Sequence, residues 1–320
     1  MSKNWALISA SSGWGASNMG TGAGAYALFH SFDPLGLNSE RFDRTFFKKS
    51  YQIDAHPDGI TVPKLPFCSL NGAMRFTNVL NTVQEVYEYT VDCLGRGFTP
   101  FVLGGDHSIA IGTWSAMHQH YQKDFGLIWI DAHLDSHTPE TSPSQARHGM
   151  PLAALIGQGD CELTSIGSAE PKLKPENLVI IGARSFEEGE QVLLEQLGVR
   201  VMYMDEVRQR GFRACFEEAV TMLTKNGQHF GISFDVDAFD PLIAPGTGAA
   251  EPNGLLETDV LFAMEGIFDH DQLLGFELVE FNPTLDIQDK TLNLIWRFVY
   301  SMMGRKKWKV LQQPQQRGHG

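Results

Sequence analysis

Three short stretches of this chain concentrate acids and imidazoles: Gly104-Gly105-Asp106-His107-Ser108, Asp131-Ala132-His133-Leu134-Asp135, and Ser233-Phe234-Asp235-Val236-Asp237-Ala238-Phe239-Asp240-Pro241. Brought together, they offer the carboxylates of Asp131, Asp135, Asp235 and Asp237 and the imidazoles of His107 and His133. Two like charges about 4 Å apart repel by roughly 4 kcal/mol at an effective dielectric of 20, so such a pocket must take up protons or cations. Two divalent ions about 3.5–4 Å apart, bridged by carboxylates, neutralise the set and can activate a water against a bound substrate. The donors are oxygen-rich, with two nitrogens and no thiolate. That favours two Mn²⁺ over a structural Zn²⁺, with Fe²⁺, Co²⁺ and Ni²⁺ also compatible.

Each stretch begins where an apolar run stops. Residues 100–103, 126–130 and 230–234 are rich in β-branched and aromatic side chains, the pattern of strands buried on both faces. In an open α/β sheet the carboxyl ends of strands are where ligands bind. Extended alternation would point Asp131, His133 and Asp135 to one side and Ala132 and Leu134 to the other, with Asp235 and Asp237 repeating the pattern. Helices are expected over residues 76–94, 188–197, 205–224, 257–268 and 290–303, each between apolar runs. The alternation of strand-like and helix-like stretches without a linker predicts one α/β unit over residues 1–303, three-layered as α/β/α around a mostly parallel sheet. A basic tail, later rich in Gln, Pro and Gly, follows over residues 304–320.

Taken singly, these residues have simpler readings. Asp is common where strands give way to loops, and His107 after two glycines fits an ordinary loop histidine. Asp240-Pro241 reads as turn initiation. The metal reading rests on the conjunction of three strand-end clusters, two with acids at i and i+2.

The three stretches, in their order and spacing, resemble the signatures of the arginase and agmatinase family of ureohydrolases, and the chain is most similar to bacterial arginases. The resemblance covers nearly the whole chain and is most specific over residues 103–148 and 232–252. It implies an arginase-like fold, a binuclear manganese centre and hydrolysis of a guanidinium group to urea and an amine. It assigns His107, Asp131, Asp135 and Asp235 to one manganese and Asp131, His133, Asp235 and Asp237 to the other, so that Asp131 and Asp235 bridge. Asp135 could also pass a proton. Glu280, at the end of the run 273–279, lines up with the family's guanidinium-binding glutamate, with Glu277 the weaker candidate. His148 resembles its proton-shuttling histidine. The family also assembles as trimers or hexamers.

Substrate choice turns on the rim. Ser144 fits the arginase pattern for holding the amino-acid end of arginine, and the stretch 181–190 ends in the same Gly-Glu. His137 stands where arginases usually have an asparagine that contacts the α-carboxylate, and Glu187 where they carry an aspartate near the α-amino group. Gln145-Ala146-Arg147 and Ala249 also depart from the usual pattern. L-Arginine is the favoured substrate, with agmatine, 4-guanidinobutyrate or another guanidino acid as alternatives. A non-catalytic binding protein on the same fold would be expected to lack a ligand, and all six are present.

The net charge of −13 argues against nucleic acid as a partner. The four cysteines, Cys68, Cys93, Cys161 and Cys215, lack metal spacing and a secretory context, the pattern of reduced thiols in a cytosolic protein. No segment has the length of a membrane span. The glycine-rich stretch 13–22 lacks both the dinucleotide fingerprint and a Gly-Lys-Ser/Thr, so it is not a phosphate loop. By resemblance it forms a loop near the active-site rim.

Overall fold

A computed structural model describes residues 3–31, 47–54, 72–121 and 125–304. The basic tail expected over 304–320 therefore lies outside the described residues, apart from Gly304. The strands are β1 (Trp5–Ser11), β2 (Phe47–Asp54), β3 (Thr99–Gly104), β4 (Gly126–Ile130), β5 (Leu178–Ile181), β6 (Arg200–Met202), β7 (Phe230–Asp235) and β8 (Leu273–Val279). They form one sheet in the order β2-β1-β3-β8-β7-β4-β5-β6. Every pairing is parallel, so the sheet is fully parallel where a mostly parallel one was expected.

Alternation along the strands sorts their side chains onto two faces. Leu7, Phe101, Ile128, Val179, Phe234 and Leu278 pack with the helices Phe212–Thr224, Glu257–Ala263 and Lys290–Met302. Ile8, Val102, Trp129 and Ile180 face the opposite layer, to which the helices Gly72–Gly95 and Ala110–Tyr121 contribute. That is the three-layer α/β/α arrangement. Fully burying one such Val, Leu, Ile or Phe contributes roughly 1.5–3 kcal/mol, which explains why the strands read as unbroken apolar runs.

Two helix expectations need correction. The helix expected over 205–224 is two, Met204–Arg210 and Phe212–Thr224, separated at Gly211 with φ 84° and ψ 141°, a conformation open essentially to glycine alone. The helix expected over 257–268 stops at Ala263, and a separate 3₁₀ turn covers Ile267–Asp269. The helix Ala110–Tyr121 had no amphipathic signal because Ala110 to Met117 are all buried, and an all-round buried helix shows no apolar stripe.

The four central strands, adjacent in the order β3-β8-β7-β4, end on the same side of the sheet. Their carboxyl ends lead into His107, Glu280, Asp235 and Asp131 respectively. The parallel sheet thus turns four chain segments, far apart in sequence, into one rim.

Candidate metal centre

The i and i+2 acids converge through turns, not through extended alternation. β4 ends at Ile130, and Asp131 Oδ1 accepts a hydrogen bond from His133 N at 2.7 Å. Asp235, the last residue of β7, likewise accepts from Asp237 N at Oδ1, also at 2.7 Å. Asp106 repeats the motif, accepting from Ser108 N at 3.1 Å. Such side-chain turns reverse the backbone within two residues. Asp131 and Asp235 therefore cap their turns and still present a second oxygen to the cluster. Asp135 sits at φ 44° and Glu280 at φ 65°, a left-handed backbone uncommon for residues with a Cβ and held only where the surroundings dictate it.

His107 Nδ1 lies 3.2 Å from Asp131 Oδ2, 3.1 Å from Asp135 Oδ2 and 3.2 Å from Asp235 Oδ2. His133 Nδ1 lies 3.4 Å from Asp131 Oδ1 and 3.1 Å from Asp237 Oδ2. Asp131 therefore offers one oxygen to each histidine. Two ligand atoms bound at about 2.1 Å to one ion stand roughly 3.0–3.4 Å apart at octahedral to tetrahedral angles, the spacing seen here. His107 Nδ1 is fully buried and makes no aligned hydrogen bond although three carboxylate oxygens surround it. That is how donors stand around a common centre, and the residues present fit a divalent cation.

Charge balance points the same way. Burial, then the charges of Asp237 and Asp131, push Asp235 well above the usual carboxylate range. Burial and the charge of Asp131 push Asp135 up to about 6. Burial alone would lower His107 and His133, but their carboxylate partners outweigh it and raise both well above the usual imidazole range. For Asp131, burial alone would raise it, but the two facing histidines outweigh burial and lower it. Without cations the cluster balances its charge with protons, the groups a metal would displace.

Around this cluster lies a set of fixed hydrogen bonds. His107 Nε2 meets Ser233 Oγ at 2.9 Å, and Ser233 Oγ donates to Glu277 Oε1 at 2.7 Å. Glu277 also accepts from Thr113 Oγ1 at 2.6 Å and Trp114 Nε1 at 3.3 Å. With the Ser233 proton committed to Glu277, His107 Nε2 is the donor to Ser233, which leaves Nδ1 for the cluster. Trp129 stacks on His107 with ring centroids 3.9 Å apart and donates to Asp131 Oδ2 at 2.9 Å. Glu277, the weaker guanidinium candidate, is thus occupied behind His107. Ser233, Trp129 and Glu277 carried no signal of this role, since their pairing depends on strand register.

Glu280 is buried beside the cluster. Its Oε1 accepts from His107 N and His148 Nδ1, each at 2.9 Å, while Oε2 is buried with no hydrogen-bond partner. His148 sits in the 3₁₀ turn Arg147–Gly149 and donates from its backbone N to Gly15 O at 3.2 Å. Gly15 N in turn donates to Asp106 Oδ2 at 3.0 Å, and Arg75 Nε holds Trp14 O at 3.1 Å. The glycine-rich stretch therefore anchors His148. A methyl group on Gly15 would overlap Asp106 Oδ1. Asp106 stood in the same motif as His107, but its part depends on this loop crossing it.

At the rim, His137 Nε2 lies 2.9 Å from Glu187 Oε2 and 3.3 Å from Glu190 Oε2, and His137 N donates to Gly149 O at 3.0 Å. Glu187 caps the helix Glu188–Leu197 in a reciprocal capping box with Glu190, a spacing visible in the sequence as Glu187-x-x-Glu190. Ser144 is exposed, and its hydroxyl accepts from Ala146 N at 3.2 Å. Among the described residues no helix is long and apolar enough to cross a membrane.

Comparison with known proteins agrees with this geometry. The family model described as "Arginase family" matches residues 4–304. The arginase of Brevibacillus brevis is 33% identical over 311 residues, 96% of this chain and 99% of that protein. The arginase of Bacillus caldovelox is 43% identical over 211 residues, 66% of this chain and 70% of that protein. The crystal structure of arginase from Bacillus cereus superposes with a TM-score of 0.81 at 33% identity, covering 95% of this chain and 99% of that one. A parallel sheet whose four central strands deliver acids and imidazoles to one rim, matched along its length by these relatives, shows that the chain belongs to the Arginase family and is a ureohydrolase-type enzyme.

Proposed function

We propose that the enzyme hydrolyses L-arginine to L-ornithine and urea, with two Mn²⁺ held by His107, Asp131, Asp135 and Asp235 and by Asp131, His133, Asp235 and Asp237. When bound, such a centre supplies Lewis acidity and lowers the pKa of water, so that a nucleophile is available near neutral pH. A guanidinium is a resonance-stabilised cation and a poor electrophile, so it must be held firmly. The observation that carries the reading is the buried, unpartnered Oε2 of Glu280, whose other oxygen is fixed by His107 N and His148. An anionic acceptor preset in this way suits a cationic N–H donor.

Collapse of the tetrahedral intermediate needs a proton on the departing amine. Burial alone would lower His148, but the charge and hydrogen bond of Glu280 raise it to about 9, so it is an imidazolium at neutral pH and the assigned proton donor. Asp135, among the cluster's carboxylates, is assigned to passing the nucleophile's proton. The amino-acid end is assigned to His137, Glu187 and Ser144, an imidazole to meet a carboxylate and an acid to meet an ammonium. The arginase names of relatives 33% identical over nearly the whole chain support arginine over other guanidino compounds.

The test is a parallel assay of Mn²⁺-loaded protein on arginine, agmatine, 4-guanidinobutyrate and guanidine, with urea as the readout. Arginine should have the highest kcat/KM. A rate on agmatine or 4-guanidinobutyrate far above that on arginine would overturn the assignment.

A further inference from the structure

Outside the six-residue cluster, a second mixed set of nitrogen and oxygen donors converges at the rim. His137, Glu187 and Glu190 place one ligand atom each within 4.8 Å of one another. His137 Nε2 faces Glu187 Oε2 at 2.9 Å and Glu190 Oε2 at 3.3 Å. The longer separation falls within the 3.1–3.4 Å between imidazole and carboxylate in the central cluster and suits ligands of one ion with bonds of about 2.1 Å, while the shorter is a hydrogen bond that an ion would replace.

The three donors come preset. Glu190 Oε1 accepts from Ser136 N and Oε2 from Glu187 N, each at 3.1 Å, which fixes the carboxylate and leaves lone-pair capacity on both oxygens. His137 Nδ1 meets Thr141 Oγ1 at 3.0 Å, so the ring is oriented through its far nitrogen, as metal-binding imidazoles are held by an outer partner. Glu187 is the flexible member, with its side chain 58% exposed, while that of His137 is 8% exposed. A cation can therefore enter from solvent on the Glu187 side.

We propose that His137, Glu187 and Glu190 form a third divalent-cation site, separate from the binuclear centre and selective for a borderline ion such as Zn²⁺. One imidazole with two carboxylates suits such an ion, and His137 supplies the nitrogen donor. The occupant takes His137 and Glu187 away from a substrate's far end. On the arginine reading, Zn²⁺ therefore inhibits in competition with arginine.

The test counts metals by element. Protein carrying Mn²⁺ is equilibrated with Zn²⁺ and desalted, and Mn and Zn are measured per chain, with Zn²⁺ affinity from titration. Wild type should retain two Mn and gain one Zn. In His137→Asn and in the exposed Glu187→Ala, the Zn²⁺ affinity should fall at least tenfold while Mn content stays at two. Zn appearing only in exchange for Mn, or an added Zn equivalent unchanged in both variants, overturns the third site. Failure of the binuclear manganese reading appears separately, as fewer than two Mn in wild type before Zn²⁺ is added.

Discussion

Glu280 Oε1 lies 2.9 Å from His148 Nδ1, joining residues 132 positions apart. The bond fixes which nitrogen of His148 faces the carboxylate, and His107 N holds the same oxygen from the other side. Glu280 thus has one oxygen held by two donors and one buried without a hydrogen-bond partner, the oxygen proposed to meet the substrate cation.

Replacing Glu280 by Gln should separate these two duties. The amide keeps the shape but removes the negative charge, and losing one partner of a buried charge pair costs about 2–5 kcal/mol. The expected outcome is a fall of roughly 100-fold or more in kcat/KM for the guanidino substrate, with metal content unchanged. Urea kinetics alongside metal analysis check it.

If His148 is the proton donor proposed above, its proton should set an alkaline limit. Its affinity is raised to about 9 from an ordinary 6.5, so the donating form persists at neutral pH and is lost as pH rises through about 9. The rate should decline there with an apparent pKa near that value, and His148→Asn should be slow without that limb. The same sign applies to stability. A raised folded-state pKa contributes stability that is complete below about 6.5 and lost as pH rises through about 9, so thermal unfolding of metal-free protein should show a steeper loss across this window in wild type than in His148→Asn.

Removing the support behind His107 should weaken metal binding before it alters the fold. Ser233→Ala deletes the acceptor for His107 Nε2, and Glu277→Gln disturbs the group that claims the Ser233 proton. Loss of such outer partners typically costs 10–100-fold in metal affinity. Competition with a chelator measures it, and unchanged affinity in both variants would rule the relay out as a determinant of metal binding.

Gly15→Ala should act at a distance from the metals. The added methyl group overlaps Asp106 Oδ1, and the loop that holds His148 N must shift. Overpacking of this kind costs about 1–3 kcal/mol. A reduced kcat with two metals still bound is expected, and the wild-type kcat in this variant would show that the loop does not position His148.

Much of the site was readable from residue types and order. The apolar runs before His107, Asp131 and Asp235 do become parallel strands of one sheet, β3, β4 and β7, with β8 between β3 and β7, because a sheet covered on both faces demands unbroken hydrophobic stretches. The acids do lie at the carboxyl ends of those strands. Glu280 was readable in the same way, as an acid closing the run that becomes β8.

Other features were decided only when the chain folded. Alternation could not show that Asp131 and Asp235 converge by capping their own turns, because a side-chain hydrogen bond two residues on competes with extension at a strand's end. Nor could it place Ser233 between His107 and Glu277, or Gly15 between Asp106 and His148, because those contacts depend on strand register and loop crossing. At the rim the sequence supplied His137 and Glu187, and the fold set them against each other and Glu190. Periodicity and residue type are properties of a segment, so the sequence by itself determined the chemistry available at each strand end. Convergence belongs to the sheet order β3-β8-β7-β4, and only the tertiary structure decided which groups share a charge, a proton or a hydrogen bond.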